Sequence, residues 1–595
     1  MVSDITPNIN FINKAMIDMK SVKYITMSAL VALSLSSCSE SFLDHPADNR
    51  TEIDSEDKII KLLTSSYPSA NYMWVSEISS DNLIDNMTPH LPTKSWDPQI
   101  LSFYNYPPYD RADDQLFAFE PATLATFSDY DQPGQIWDGY YASIASVNAA
   151  LQAIDEVAAK NGGMTAKLKA ARAEALLIRA YDHFCLVNIF SQPYKDAEAS
   201  KRDIGIPYVT EVEDVVQKNY DRGNVADVYA KIQADLEEGI ANLDESIFEK
   251  PKWHFNNNAA HAFAARFFLY KREWQKVIDH ANAVLGTDES SLSKMMFDYS
   301  LLADAFYGSD FANIWQDPQQ NNNLMLITTG SLMARRSLGY RYSCAGPAAR
   351  EVFLITSGTH AFWRSYYVCP LTGAGGMFGS STSDYGYLSG KLMEQFEYSD
   401  KIAGIGFPHI LHRAFTANEL LLARAEAKIM LRQYDAACED LCSYWNLSVE
   451  KLSDADKAVY GNYINTATKE LIENWYSNSE HANCYADWDC TQRVSSSYVI
   501  PHEATPYMNC LNEWRRWETS FEGLRFLDLK RWGRTITHEM RGHDAPIVLE
   551  PGDPRLAIEV PWEAQSAGMA SSRGASTAAS NANITLFDAK QYKTK

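Results

Sequence analysis

Positive charge is what the chain is most short of. Against 76 Asp and Glu it sets only 53 Lys and Arg over 595 residues, a formal net charge of -23 at pH 7. A surface of that sign repels polyanions, so no nucleic-acid partner is expected, and neutral glycans suit it better than heavily sulfated ones. The short motifs of catalysis are missing too: there is no Gly-x-Ser-x-Gly elbow, no His-Glu-x-x-His and no phosphate-cradling glycine loop. Glycoside hydrolysis takes two carboxylates at a fixed separation, and the sequence marks out no pair among its acids. His409 and His412 form a His-x-x-His, but no second pair stands at a zinc-ligand spacing. No metal and no other cofactor is expected, with a loop-ordering structural calcium ion the one exception left open. Long apolar runs are scarce as well. The stretch from Tyr24 to Leu35 is too short to span a bilayer.

What that short run does have is context. Met19-Lys-Ser-Val-Lys supplies a charged n-region, Tyr24 to Leu35 an h-region, and Leu35-Ser36-Ser37-Cys38 resembles a bacterial lipobox, so residues 1–37 read as a secretory signal starting at Met16 or Met19. Cleavage before Cys38 and acylation of its thiol, with palmitate or similar chains at about 0.8 kcal/mol per buried CH₂, would anchor the mature protein without a transmembrane helix. Leaving Cys38 aside, eight of the nine cysteines remain, and an exported protein permits disulfides. Cys484 and Cys490 are spaced for a loop bridge, whereas Cys438 and Cys442 share a helix face where a bridge is strained. Eight thiols allow 105 pairings, so connectivity stays open.

At 595 residues the chain exceeds what one core supports, and 46% hydrophobic content excludes global disorder. Tyr140, Ile144, Val147, Leu151 and Ile154 repeat at helical spacing after the breaker Asp131-Gln132-Pro133-Gly134. Lys167 to Phe190 is apolar on nearly all sides and pairs with that helix as a hairpin. Val225 to Leu243, Ala259 to Phe268 and Trp274 to Leu285 make a second set, with a tight turn at Lys271-Arg272-Glu273. Thr416 with Glu419 offers a capping box for a helix from Ala417 to Leu431. Paired helices of about 34 residues per unit predict a mainly α protein, an α-solenoid frame of tetratricopeptide-like hairpins.

Between Gly286 and Arg413 no 3.6 period is sustained, and aromatics are frequent. A connection that long implies function. Two loop regions hold the surplus rings: one with Trp74, Trp96 and Tyr104, beside Asp81, Asn82 and Asn86; the other with Tyr307, Trp315, Tyr342, Trp363 and Tyr366, beside Arg364. A sugar laid on Trp or Tyr hides ~50 to 80 Å² of apolar face, worth roughly 1 to 2 kcal/mol. Three such platforms give ~3 to 6 kcal/mol before ordering costs, in the high-micromolar to millimolar range that suits capture and release.

The stretch Leu511 to Gly533 is the densest in pattern. Arg515 precedes Glu518, Glu522 precedes Arg525 and Asp528 precedes Arg531 by three residues, so each pair can meet on one helix face, among Trp517, Phe521, Phe526 and Trp532. Buried charges of this kind are tolerated only when paired, so the run reads as a structural clamp with a turn at Gly523. Arg515, Arg516, Glu518, Phe521, Glu522, Gly523, Arg525, Asp528, Leu529, Arg531 and Trp532 together resemble the C-terminal signature of the RagB/SusD family, surface lipoproteins that capture nutrients. Trp514 stands where the family usually has Glu and Thr519 where it usually has Leu, which bears on one ion pair and not on the fold. Ser41-Phe42-Leu43-Asp44 with Pro46, Ser80-Asp81-Asn82, and the helices Arg172 to Tyr181 and Glu419 to Ala427 resemble further family landmarks.

The resemblance implies a lipid-anchored protein of the cell outer membrane, facing outside. It would bind oligosaccharides without catalysis and pass them to a SusC-like TonB-dependent transporter. Two alternatives stay open, a peptide-binding lipoprotein of the same architecture and a glycoside hydrolase. The chain then divides into a signal (1–37), the anchor and a loop-rich region (38–130), helical pairs (131–285), the aromatic-rich insertion (286–413), the last helical pair with the signature (414–533) and a tail (534–595), Ser/Ala-rich and flexible from Ala570 to Asn583.

Overall fold

The computed structural model describes residues 52–87, 107–124, 130–213, 219–302, 308–337, 340–344, 390–448, 466–481 and 484–573. Cys38, Trp96, Tyr104, Tyr307, Trp363, Arg364 and Tyr366, and the tail beyond residue 573, lie outside these residues. The chain separates into a unit of residues 1–53 and a unit of residues 54–595, and the second carries everything that follows.

That unit is mainly helical. The helices used below are α1 (Glu56–Thr64), α2 (Met73–Ile78), α3 (Arg111–Phe117), α4 (Pro133–Asn161), α5 (Ala166–Phe190), α6 (Val225–Asn242), α7 (Asn257–Lys271), α8 (Trp274–Leu285), α9 (Gly308–Trp315), α10 (Ala417–Met430), α11 (Tyr434–Ser448), α12 (Thr505–Glu518) and α13 (Arg525–Trp532). Helix α4 starts with Pro133 in its first turn and stops at Gly162. Helix α5 is capped by Thr165, whose hydroxyl accepts from the Leu168 N–H, and α6 and α7 are capped in the same way by Asn224 and Asn256. The turn expected at Lys271-Arg272-Glu273 is present, with Arg272 at φ 65° ending α7 just before α8 begins.

Consecutive helices pack as hairpins: α4 on α5, α5 on α6, α7 on α8 and α10 on α11. One buried ion pair ties the first three together. Arg179 on α5 clasps Asp235 of α6 through Nε and Nη2, at 2.7 and 2.9 Å, and donates through Nη1 to Asn148 of α4. Helix α10 joins the two halves of the frame, packing on α7, α8, α11 and α12.

The 286–413 stretch adds strands to this frame. β1 (Ile84–Asp85) pairs with β3 (Tyr342–Ser343), and β2 (Asn323–Thr329), β4 (Gln395–Asp400) and β5 (Ile405–Thr416) form an antiparallel sheet in the order β2-β5-β4. β2 is buried along nearly its whole length, so it shows no alternation of apolar and polar residues. The far half of β5 is buried like β2, while its near half and β4 project as an exposed hairpin.

One cysteine expectation is corrected. Cys484 and Cys490 are free thiols, Cys490 directing its sulfur to the Trp532 carbonyl at 3.4 Å, and Cys438 and Cys442 stand 3.9 Å apart unbridged. Among the described residues no helix is long and apolar enough to cross a membrane, and no group of metal-ligating side chains is assembled.

Candidate functional site

The signature segment forms α12, a turn and α13, and nearly every residue in it is buried. At the turn Gly523 has φ 75°, and a Cβ there would lie 2.8 Å from the Met73 Cα on α2. Both facts require glycine.

The charges pair, mostly with distant partners. Only Asp528 and Arg531 meet on their own helix, at 2.8 Å. Arg515 does not meet Glu518; it donates to Asp528 at 2.7 Å and to Glu419 of α10 at 3.0 Å. Glu419 accepts a further bond from Arg266 of α7, and Arg531 holds Glu426 of α10 through both terminal nitrogens. Arg266, Glu419, Arg515, Asp528, Arg531 and Glu426 thus alternate in sign through the centre of the frame. Burial alone would raise the carboxyls of Glu419 and Asp528, but the flanking guanidinium groups override it and hold both below the usual range. Half of the expected capping box forms: the Thr416 hydroxyl accepts from the Glu419 N–H, while the Glu419 side chain turns to its arginines.

Glu522 does not pair with Arg525 either; it receives Arg413 of β5 at 2.8 Å. Arg525 instead clasps Asp81 through two bonds of 2.8 Å, and Arg516 donates to the Asn82 side chain and the Asp81 carbonyl, both at 2.7 Å. The Ser80-Asp81-Asn82 landmark and the C-terminal signature are therefore two halves of one clasp. Asn82 also donates to Glu77 at 2.7 Å, and the same Glu77 oxygen accepts from the Phe521 N–H at 2.9 Å, fixing Phe521 at φ 62°. Burial pushes the Glu77 carboxyl up to about 7. Four residues on, burial works the same way on Asp81, but Arg516 and Arg525 outweigh it and hold that carboxyl well below the usual range. Asp81 and Asn82, expected among the ligand contacts, are committed to this clasp.

The described rings expected to face a ligand are also inside. Trp74 is 1% exposed; its indole N–H donates to Asp113 at 2.9 Å, and Arg336 sits over its ring. Trp315, also 1% exposed, ends α9 in a cluster with Phe297, Tyr299 and Phe311, and the Arg413 guanidinium lies 3.6 Å from its ring centroid. Tyr342 is buried against Phe117 and donates to Asp114 at 2.7 Å. These positions correct the expectation of open platforms: each ring is enclosed, with a cation or carboxylate held against it away from water. Arg336, which joins Asp113 and Trp74, has no local signal that sequence reasoning could have used.

Apart from Trp562, 67% exposed, the large open aromatic side chains among the described residues lie on the β4–β5 hairpin. Phe396 and Tyr398 are 49% and 52% exposed, with ring centroids 4.8 Å apart, and Phe407 emerges on the opposite face. Across the ladder Tyr398 faces Gly406, where a Cβ would fall 2.0 Å from the Glu397 carbonyl oxygen and 2.7 Å from the Phe396 ring. This hairpin was not among the expected ligand surfaces, although Phe396-x-Tyr398 followed by Gly404 and Gly406 is a strand-and-turn signal. Inside the clamp, the space lined by Tyr72, Arg266, His412, Arg413, Glu419 and Glu522 holds about 10 Å³, room for one water and not for a sugar ring.

The molecule is thus a helical-hairpin frame locked by buried ion pairs, with a sheet and an exposed hairpin carried by the insertion between its halves. Residues 41–269 match the model of a SusD-like family described as starch-binding and associating with the outer membrane. The fold is similar to a SusD superfamily protein from Bacteroides vulgatus, 18% identical, over 87% of this chain and 97% of that one, with a TM-score of 0.53. It is similar also to one from Bacteroides fragilis, 16% identical, over 86% and 98%, with a TM-score of 0.51. No curated protein matches the chain significantly. The family match thus covers residues 41–269, and the likeness to the solved structures is one of fold.

Proposed function

We propose that the chain is a non-catalytic, surface-exposed lipoprotein of the outer membrane, anchored through Cys38, which captures oligosaccharides and hands them to a TonB-dependent barrel partner. The match of residues 41–269 to a family described as starch-binding and outer-membrane-associated supports this most directly. Its frame suits the task. A neutral, alternating chain of buried charges holds the helices rigidly, and four of the described carboxylates whose pKa burial raises, Glu77, Asp113, Asp131 and Asp182, are enclosed rather than open to a substrate. Sugar platforms are assigned to Trp96, Tyr104, Tyr307, Trp363 and Tyr366 on the sequence reading. Trp74, Trp315 and Tyr342 are withdrawn from that role by their burial.

The test is calorimetric titration of the full chain with maltoheptaose, run beside an assay for new reducing ends. Saturable binding without product is expected. Product formation in proportion to protein concentration refutes the binder, and silence across a wider panel of neutral glycans while peptides bind would favour the peptide-binding alternative. In a folded protein, Trp96→Ala or Trp363→Ala is expected to weaken sugar binding with no change in melting.

A further inference from the structure

The exposed hairpin has three properties that a sugar platform does not need. First, it is apolar on both faces and at its tip: beyond Phe396, Tyr398 and Phe407, Ile405 is 60% exposed and Ile402 100% exposed. Sugars stack on flat rings, and branched aliphatic side chains offer them little. Second, β4 is an edge. In the order β2-β5-β4 no described strand pairs with its outer side, so the backbone N–H and C=O groups of alternate residues along this six-residue strand face outward there. Native proteins usually blunt such an edge, because it is a template for another strand. Third, the turn is prepared: the Asp400 carboxylate accepts from the N–H groups of Ile402 and Ala403 at 2.9 and 3.0 Å, which fixes the tip before anything binds.

Charge narrows the occupant. Glu397 and Asp400 lie on β4 beside the apolar residues, and with Lys401 at the tip they make insertion into hydrocarbon costly. A second copy of this chain would bring two bodies of net charge -23 together. An extended segment of another protein, apolar on alternate residues and basic between them, satisfies the edge, the rings and the carboxylates at once. We propose that the outer edge of β4 is a docking site for such a strand, which adds to the sheet while its apolar residues pack on Phe396 and Tyr398.

The probe is an end-capped synthetic peptide, Lys-Val-Lys-Val-Arg-Val, titrated by fluorescence anisotropy into the full chain at low ionic strength. Saturable binding is expected. It should weaken at least about tenfold in the double variant Phe396→Ser, Tyr398→Ser and disappear when alternate peptide amides are N-methylated. The two rings are half exposed, so the variant should melt with the wild type, and circular dichroism checks this. No saturable binding, equal binding by the variant, or equal binding of the methylated peptide would each overturn the proposal. So would a dimer in sedimentation that the double variant abolishes, or loss of maltoheptaose binding in that variant, which would assign the hairpin to a second copy or to the sugar.

Discussion

Glu77 gives the sharpest quantitative prediction. Its side chain is fully buried; one oxygen takes both the Asn82 amide and the Phe521 N–H, and the other has no hydrogen-bond partner. A protonated carboxyl fits that setting, and burial raises its pKa from 4.5 to about 7. Between those two values the folded chain holds a proton that the unfolded chain has released. The contribution of Glu77 to stability is therefore complete below pH 4.5 and is lost as pH climbs through 7. At about 1.4 kcal/mol per pH unit of separation, the loss is ~3 kcal/mol on this order-of-magnitude reckoning. Glu77→Gln keeps the accepting oxygen and carries no proton to lose. Urea denaturation of both proteins at pH 5 and pH 8 should show the variant gaining ~3 kcal/mol on the wild type between the two, with all other titrating groups cancelling. Parallel pH curves would refute the assignment of a buried neutral carboxyl at this position.

Asp528→Asn leaves Arg515 and Arg531 buried beside a neutral partner and should cost about 3 to 5 kcal/mol in denaturant unfolding; a loss under 1 kcal/mol would show that the six-member charge chain is not holding the frame. Gly523→Ala forces a left-handed backbone and a clash with α2, so a loss of about 2 kcal/mol or more is expected, read as a drop in melting temperature. Trp315→Ala should lose about 3 to 5 kcal/mol of stability while the folded fraction keeps its full affinity for maltoheptaose. A stable variant with weakened sugar binding would return Trp315 to the ligand surface.

The helical frame was largely legible, because apolar period and caps are local quantities. Lys167 to Phe190 was placed within one residue of α5, and Trp274 to Leu285 coincides with α8. The charge clamp was legible as a clamp but not in its pairings. Spacing by three residues finds only partners on the same helix, and Asp528 with Arg531 is the one pair that obeys it. Arg515, Glu522 and Arg525 reach across the fold, where several buried charges compete and geometry decides. Rings were misjudged for a related reason: Trp74 and Trp315 sit in helices of six and eight residues, too short to display a period, and the cations covering them come from residues 262 and 98 positions further along the chain. Conversely, the Phe396 and Tyr398 face was readable from its alternation and its glycines.

The clasp between Asp81 and Asn82 and the arginines of the signature spans 444 and 434 positions. The chain from Glu77 through Arg525 must be complete before this cluster finds its mates. Until then Glu77, Asp81 and Asn82 wait without their permanent company, and any product cut short ahead of residue 516 stays an unfinished body, open to proteases. The arrangement works as a completeness check: the beginning of the molecule settles only once its end has arrived.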